Sequence, residues 1–117
     1  MDIREIPTKD KVRATVSAPP SKSYTNRAYV IAALADGPVR LENPLCSDDT
    51  RYMKAALEAL GIRVEEGPEA VTVHGKKGVL RVPEKEIFVG NAGTAMRFLT
   101  TLACLAPGEV HLTGDAR

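Results

Sequence analysis

The chain has 117 residues, with 16 Lys and Arg against 15 Asp and Glu, and a net charge of +1. This length suits one domain or part of a larger one, and 44% hydrophobic residues are enough to form a core. The near-zero charge argues against a nucleic-acid or anionic-membrane partner. The longest apolar run, residues 28–35, is far too short to span a membrane, and residues 1–12 lack the apolar segment of a signal peptide. Two cysteines without a CxxC motif favour a reduced, cytoplasmic setting.

The N-terminal third predicts a strand, a helix and a second strand. Residues 11–17 alternate polar and apolar side chains, which predicts a strand with one buried face, and Pro19-Pro20 ends it. Residues 26–35 then predict a helix that either preceding serine would cap. The apolar face expected for this helix consists of Ala28, Ile31, Leu34 and Ala35. A short strand is expected at 39–43.

The remaining chain continues the alternation. Ser47-Asp48-Asp49 predicts a helix start, because acidic residues in the first turn complement the helix dipole. Its apolar residues recur at helical spacing up to Gly61, at Met53, Ala56, Leu57 and Leu60. A third helix is expected at 91–106, and the other expected strands are 62–65, 70–74, 79–82, 86–89 and 109–113. Alternating strands and helices predict an α/β (α+β) fold.

An internal repeat relates two parts of this pattern. Ser23 and Arg27 are matched by Gly93 and Arg97, which have the same spacing at the start of another helix. Each helix is followed by a glycine, with Val and Leu two and four residues after it. The ordered set of matches predicts a repeated β-α-β unit whose helix N-termini have related roles.

The first candidate site is Ser21-Lys22-Ser23 with Arg27 one turn further along. A helix N-terminus presents free N–H groups, and these side chains add hydroxyls, a point charge and a guanidinium that binds phosphate or carboxylate. The segment therefore favours a metal-free anion site. A capped helix with two solvated cations is the alternative interpretation.

The second candidate site is Asn91-Ala92-Gly93-Thr94, followed by Arg97. Gly93 has no Cβ and lets the backbone approach a ligand closely, while Asn91 and Thr94 are polar residues at a helix start. The segment lacks the GK[ST] of a P-loop. The alternative is again a capped helix, in which Gly93 serves only the chain geometry.

The other polar residues predict no further chemistry. Asp48-Asp49 fits a helix cap better than a paired-carboxylate site, because adjacent helical residues do not face each other. His74 and His111 have no acid or Cys at ligand spacing, so neither a metal site nor a cofactor is expected. Cys46 and Cys104 have no basic neighbour that would activate a thiol. With no convincing acid–base pair, an enzyme would need residues beyond this chain.

Taken together, the segments resemble the N-terminal part of the 5-enolpyruvylshikimate-3-phosphate (EPSP) synthase family. The blocks Ser21-Lys22-Ser23-x-x-Asn26-Arg27 and Gly90-Asn91-Ala92-Gly93-Thr94-Ala95-Met96-Arg97 are highly specific in combination. The resemblance extends, in order, over residues 20–28, 41–50, 56–61, 90–97 and 112–117. It implies transfer of an enolpyruvyl group from phosphoenolpyruvate to shikimate 3-phosphate, in the route to aromatic amino acids.

The resemblance also implies roles for individual residues. Those that would bind shikimate 3-phosphate are Lys22, Ser23 and Arg27. Those that would line the phosphoenolpyruvate side are Lys22, Asn91, Gly93 and Thr94, with Arg97 in a supporting role. Two positions depart from the family: Pro20 stands where Gly is usual, and Phe98 where Pro is frequent. The second departure would reshape the helix near Gly93 and affect sensitivity to phosphoenolpyruvate analogues.

The family architecture implies how the chain is organised. Family members are several-fold longer and have two domains of repeated β-α-β-α-β-β units. Residues 1–20 would be a strand segment that pairs with the second domain, and residues 21–117 the first repeat and the start of the second repeat. The second domain would supply the acidic residues for proton transfer, so the isolated chain is expected to be inactive.

Two other functions stay open from the sequence. UDP-N-acetylglucosamine enolpyruvyl transferase shares the fold and reaction type, but it has Asn where this chain has Ser23. A non-catalytic anion-binding module is the other alternative.

Overall fold

The structure is a computed structural model that describes residues 3–116. It contains both helices and strands, as the sequence predicted: α1 (Lys22–Leu34), β1 (Asp36–Glu42), α2 (Asp48–Ala59), β2 (Arg63–Glu66), β3 (Ala70–Lys76), β4 (Ile87–Phe88), α3 (Gly93–Ala103) and β5 (Leu112–Thr113). The α+β class is therefore confirmed. None of the helices within 3–116 is long and apolar enough to cross a membrane.

The strands form two small sheets. In the first, β3 lies in the centre and pairs antiparallel with β1 and with β2. In the second, β4 and β5 are parallel, and α3 is the crossover between them. The predicted β-α-β unit is thus present around α3. The corresponding strand before α1 is absent from residues 3–20, so only the helix-to-strand half of the first repeat is formed.

Helix α2 follows its sequence pattern closely. Ser47 and Thr50 form a capping box, and Asp48 and Asp49 lie in the first turn. The predicted apolar residues are fully buried: Met53, Ala56, Leu57 and Leu60. Gly61 has φ 91°, the left-handed conformation of a helix C-terminal glycine. This helix supplies the centre of the core, and α1 and α3 pack against it.

The predicted apolar face of α1 is wrong. Ile31 is 70% exposed and Leu34 is 41% exposed. The buried residues are instead Thr25, Asn26, Tyr29, Ala32 and Ala33. This smaller face lets α1 lie close to β3: a Cβ on Gly75 would collide with the carbonyl oxygens of the last turn of α1.

Two predicted strands do not form. Residues 11–17 are exposed and have no partner strand in the described chain, with Val12 82% and Val16 84% accessible. Residues 79–82 are held by the C-terminal end of α2 instead of by a strand. The Arg81 backbone N–H donates to the Leu60 oxygen (2.9 Å), and its Nε donates to the Ala59 oxygen (3.2 Å). Arg81 therefore satisfies carbonyls that the helix end leaves free.

Candidate substrate-binding site

The start of α1 presents three of the predicted site residues. Ser21 is the N-cap, and its Oγ accepts a hydrogen bond from the Tyr24 backbone N–H (3.4 Å). Lys22 and Ser23 lie in the first turn and Arg27 in the second. Because Ser21 caps the helix, Ser23 is left as an exposed hydroxyl beside two exposed cations.

Lys22 is paired with a carboxylate. Its Nζ lies 2.9 Å from Oδ2 of Asp49, in the first turn of α2, and the two side chains are 49% and 27% exposed. Asp49 thus does more than complement the helix dipole, which was its predicted role. A partly exposed pair of this kind adds little to stability, about 0–1 kcal/mol, but it fixes where the ammonium group points.

Arg27 is held by two contacts. Its Nη1 donates to the Ser23 backbone oxygen (3.1 Å), and its Cζ lies 5.5 Å from the centroid of the Phe98 ring on α3. The distance to the ring is within the range of a cation–π contact. A guanidinium has five N–H donors, so the hydrogen bond to Ser23 leaves donors available for an anion.

The start of α3 has no side-chain cap. Ala92 is the N-cap residue, and the Gly93 backbone N–H donates to the Asn91 oxygen (3.1 Å). The side-chain cap that the alternative interpretation expected is therefore absent at this helix start. Asn91, Gly93 and Arg97 are exposed and Thr94 is half-buried, so polar groups and backbone lie open at the helix start. A Cβ added to Gly93 would meet no other atom within 4 Å.

Helix α2 connects the two helix starts. Asp49 and Tyr52 are three residues apart and share a face of α2. Asp49 holds Lys22, while Tyr52 packs on Gly90 so closely that a Cβ there would lie 2.6 Å from Tyr52 Cε2. Gly90 has φ 55°, a second reason for glycine at this position.

The structure therefore places the two predicted segments on neighbouring helices that are joined at two points. One connection runs through α2, and the other is the contact between Arg27 and Phe98. The sequence interpretation missed the contributions of Asp49, Tyr52 and Phe98. For Phe98 a signal existed, because it departs from the Pro that is frequent in the resembling family.

Three polar side chains lie on the buried face of α1. Burial, reinforced by Glu66, Cys46 and Glu58, raises the pKa of the Tyr29 hydroxyl from 10.0 to about 12. Asn26, in the Ser-Lys-Ser-x-x-Asn-Arg block, is fully buried, and neither Oδ1 nor Nδ2 has a hydrogen-bond partner within the described chain. Thr25 accepts a hydrogen bond from the Leu45 backbone N–H (3.0 Å), which ties the segment before α2 to α1.

Comparison with known proteins identifies the family. The family model described as EPSP synthase (3-phosphoshikimate 1-carboxyvinyltransferase) matches residues 6–117. The chain belongs to the EPSP synthase family. The resemblance inferred from the sequence is thus confirmed, although Arg117 of its last block lies outside the described residues.

Individual relatives agree with this assignment. The 3-phosphoshikimate 1-carboxyvinyltransferase of Methanothermobacter thermautotrophicus is 50% identical over 104 residues, 89% of this chain and 25% of that protein. The pentafunctional AROM polypeptide of Schizosaccharomyces pombe is 47% identical over 94% of this chain and 7% of its own length. The solved EPSP synthase of Acinetobacter baumannii superposes with a TM-score of 0.80 at 28% identity, covering 86% of this chain and 23% of that one. The chain thus spans about a quarter of the length of the Methanothermobacter and Acinetobacter proteins.

Proposed function

We propose that this chain is the N-terminal substrate-binding part of an enzyme that transfers the enolpyruvyl group of phosphoenolpyruvate to shikimate 3-phosphate in aromatic amino acid biosynthesis. The observation that carries the proposal is the proximity of two helix starts with exposed polar groups, on neighbouring helices of a chain of the EPSP synthase family. Each substrate carries a phosphate, so two adjacent anion sites fit the pair.

Shikimate 3-phosphate occupies the start of α1 in this proposal. The Ser23 hydroxyl and the remaining donors of Arg27 bind its phosphate, with the partial positive charge of the helix N-terminus behind them. Lys22 is within reach of the same anion, and its pairing with Asp49 keeps the ammonium group at the edge of the site that faces α2.

Phosphoenolpyruvate occupies the start of α3. Free first-turn N–H groups, Asn91 and Thr94 supply neutral donors, and Gly93 leaves room for the ligand to contact the backbone. Lys22, which is connected to this side through α2, contacts both substrates, and Arg97 supports the anion electrostatically. Neither a metal nor a cofactor takes part in this proposal.

Proton transfer and site closure are assigned to the remainder of the enzyme. Asp49, the carboxylate found next to Lys22, is already engaged in the ion pair. The exposed segment of residues 3–20 is proposed to become a strand when it pairs with the second domain. We further propose that the enzyme acts in the cytoplasm.

The sister activity is less well supported. UDP-N-acetylglucosamine enolpyruvyl transferase carries Asn where this chain has Ser23, and the match over residues 6–117 is to EPSP synthase. A purely anion-binding module remains the second candidate for the isolated 117 residues, because the site described here consists of binding groups.

The test is a phosphate-release assay on the full-length protein that contains this chain. Release is expected with phosphoenolpyruvate and shikimate 3-phosphate together, and not when UDP-N-acetylglucosamine replaces the latter. Lys22→Ala should lower kcat/KM by about 100-fold or more, equivalent to about 2.7 kcal/mol. Lys54→Ala is the matched control, since Lys54 is also an ion-paired lysine, but its partner is Glu66 of β2, at 3.0 Å. Absence of shikimate 3-phosphate-dependent release, or equal losses in the two variants, would overturn the proposal.

A further inference from the structure

Phe98 lies where the two halves of the site meet. It is in the second turn of α3, directly after Arg97, and its half-buried ring packs against the core while contacting the Arg27 guanidinium. The ring therefore belongs to the helix that carries the phosphoenolpyruvate side, but its polar contact is with a residue of the shikimate 3-phosphate side.

The contact restricts a side chain that is otherwise exposed. A free Arg samples many rotamers and loses that freedom when it binds an anion. Here the ring and the Ser23 carbonyl hold the guanidinium from two directions before a ligand arrives. The ring carries no oxygen acceptor, so the guanidinium N–H donors other than the one bonded to Ser23 are left for an anion.

We propose that Phe98 is a positioning residue: its ring holds the Arg27 guanidinium in the orientation that binds the phosphate of shikimate 3-phosphate. The inference rests on the proposed function. Its consequence is that a residue of the phosphoenolpyruvate-side helix sets the affinity for the other substrate.

The central measurement is the Kd for shikimate 3-phosphate in the full-length protein. Phe98→Leu removes the aromatic face but keeps an apolar side chain, and should weaken binding about two- to fivefold, the range of an exposed cation–π contact. Phe98→Tyr keeps the face and should retain the original affinity. KM for phosphoenolpyruvate should stay within about twofold in both variants, although Phe98 lies on the helix that binds it.

A double-mutant cycle separates positioning from packing. Arg27→Gln should weaken shikimate 3-phosphate binding more than Phe98→Leu does. In the Arg27→Gln background, Phe98→Leu should have no further effect, because the ring then has no guanidinium to position. A ring that merely fills the core would lower the affinity equally in both backgrounds and would raise KM for phosphoenolpyruvate as well.

The outcomes distinguish the proposed substrate site from the positioning role of Phe98. Unchanged binding in Arg27→Gln would refute the proposed substrate site itself. Two other results would overturn only the role of Phe98, provided that Arg27→Gln weakens binding. One is unchanged binding in Phe98→Leu, and the other is an equal loss of affinity on Phe98→Leu in the wild-type and Arg27→Gln backgrounds. If Phe98→Leu does not fold, Phe98→Met fills more of the same volume and replaces it in the cycle.

Discussion

Replacing Gly93 by Ala separates a role in ligand binding from a role in the chain geometry. All nine glycines lie in the described part of the chain. Only at Gly93 would an added Cβ meet nothing within 4 Å while φ lies outside the left-handed region. The structure therefore accepts the methyl group without strain, and any loss of function must arise where the methyl group meets a ligand.

The expected effects on stability and binding have opposite signs. Gly within a helix makes the helix less stable than Ala does, by about 0.5–1 kcal/mol. The free energy of unfolding should therefore stay constant or rise by up to about 1 kcal/mol. KM for phosphoenolpyruvate should rise about tenfold, equivalent to about 1.4 kcal/mol, because the methyl group occupies space needed by the substrate. The Kd for shikimate 3-phosphate should change by less than about threefold, since Ser23 and Arg27 are on the other helix.

The assay combines urea unfolding with steady-state kinetics on the full-length enzyme. Gly114→Ala is the control for backbone disturbance: its Cβ would collide with the Gly90 carbonyl oxygen, so it should lower stability and impair the site as a whole. Equal losses of affinity for both substrates in Gly93→Ala would contradict a direct contact between Gly93 and phosphoenolpyruvate. No change for either substrate would show that Gly93 serves only the turn.

Four further outcomes are expected. Asp49→Asn should bind inorganic phosphate about two- to fivefold more tightly, as measured by titration calorimetry, because a negative charge beside Lys22 is removed. The free energy of unfolding should fall by less than about 1 kcal/mol. Weaker phosphate binding would contradict this expectation. The Tyr29 pKa of about 12 in the folded chain exceeds the ordinary value of 10.0. The contribution of the neutral hydroxyl to the free energy of unfolding is therefore complete below pH 10 and is lost as the pH rises from 10 to 12. Tyr29→Phe should remove this loss, which is about 2 kcal/mol between pH 9 and pH 11.5, in urea unfolding series at those two pH values, and an unchanged pH dependence would argue against it. The isolated 117-residue chain should release no phosphate from the substrate pair above background, and turnover by the pure chain would contradict this. Crystals grown in sulfate should hold an anion at Lys22, Ser23 and Arg27, and an empty site in such crystals would contradict that expectation.

Much of the local structure follows from the sequence because its causes are local. The start of α2 depends on a capping box between Ser47 and Thr50, and its end on Gly61 in a left-handed conformation. Its buried face follows from the spacing of apolar residues along one helix. The same holds for the candidate site residues, since their residue types and their position at helix starts are visible without any tertiary contact.

Tertiary packing determines which face of α1 is buried. Apolar residues surround this helix on several sides, so periodicity alone does not select the face. Packing against β3 and the other helices favours the smaller side chains, and Ile31 is left exposed. Residues 11–17 have the alternation of a strand, but a strand also needs a neighbour for its backbone groups, and the described chain offers none at that place.

The contacts that assemble the site were likewise invisible in the sequence. Lys22 pairs with Asp49, and the Arg27 guanidinium lies over the Phe98 ring, across stretches of chain that no helical or strand period relates. Both pairs exist because α1, α2 and α3 pack side by side around one core, and the directions in which side chains leave those helices decide which of them meet. The sequence thus determined which groups are able to bind an anion, whereas the packing of three helices determined that Lys22 and Arg27 are each held by a residue from another helix.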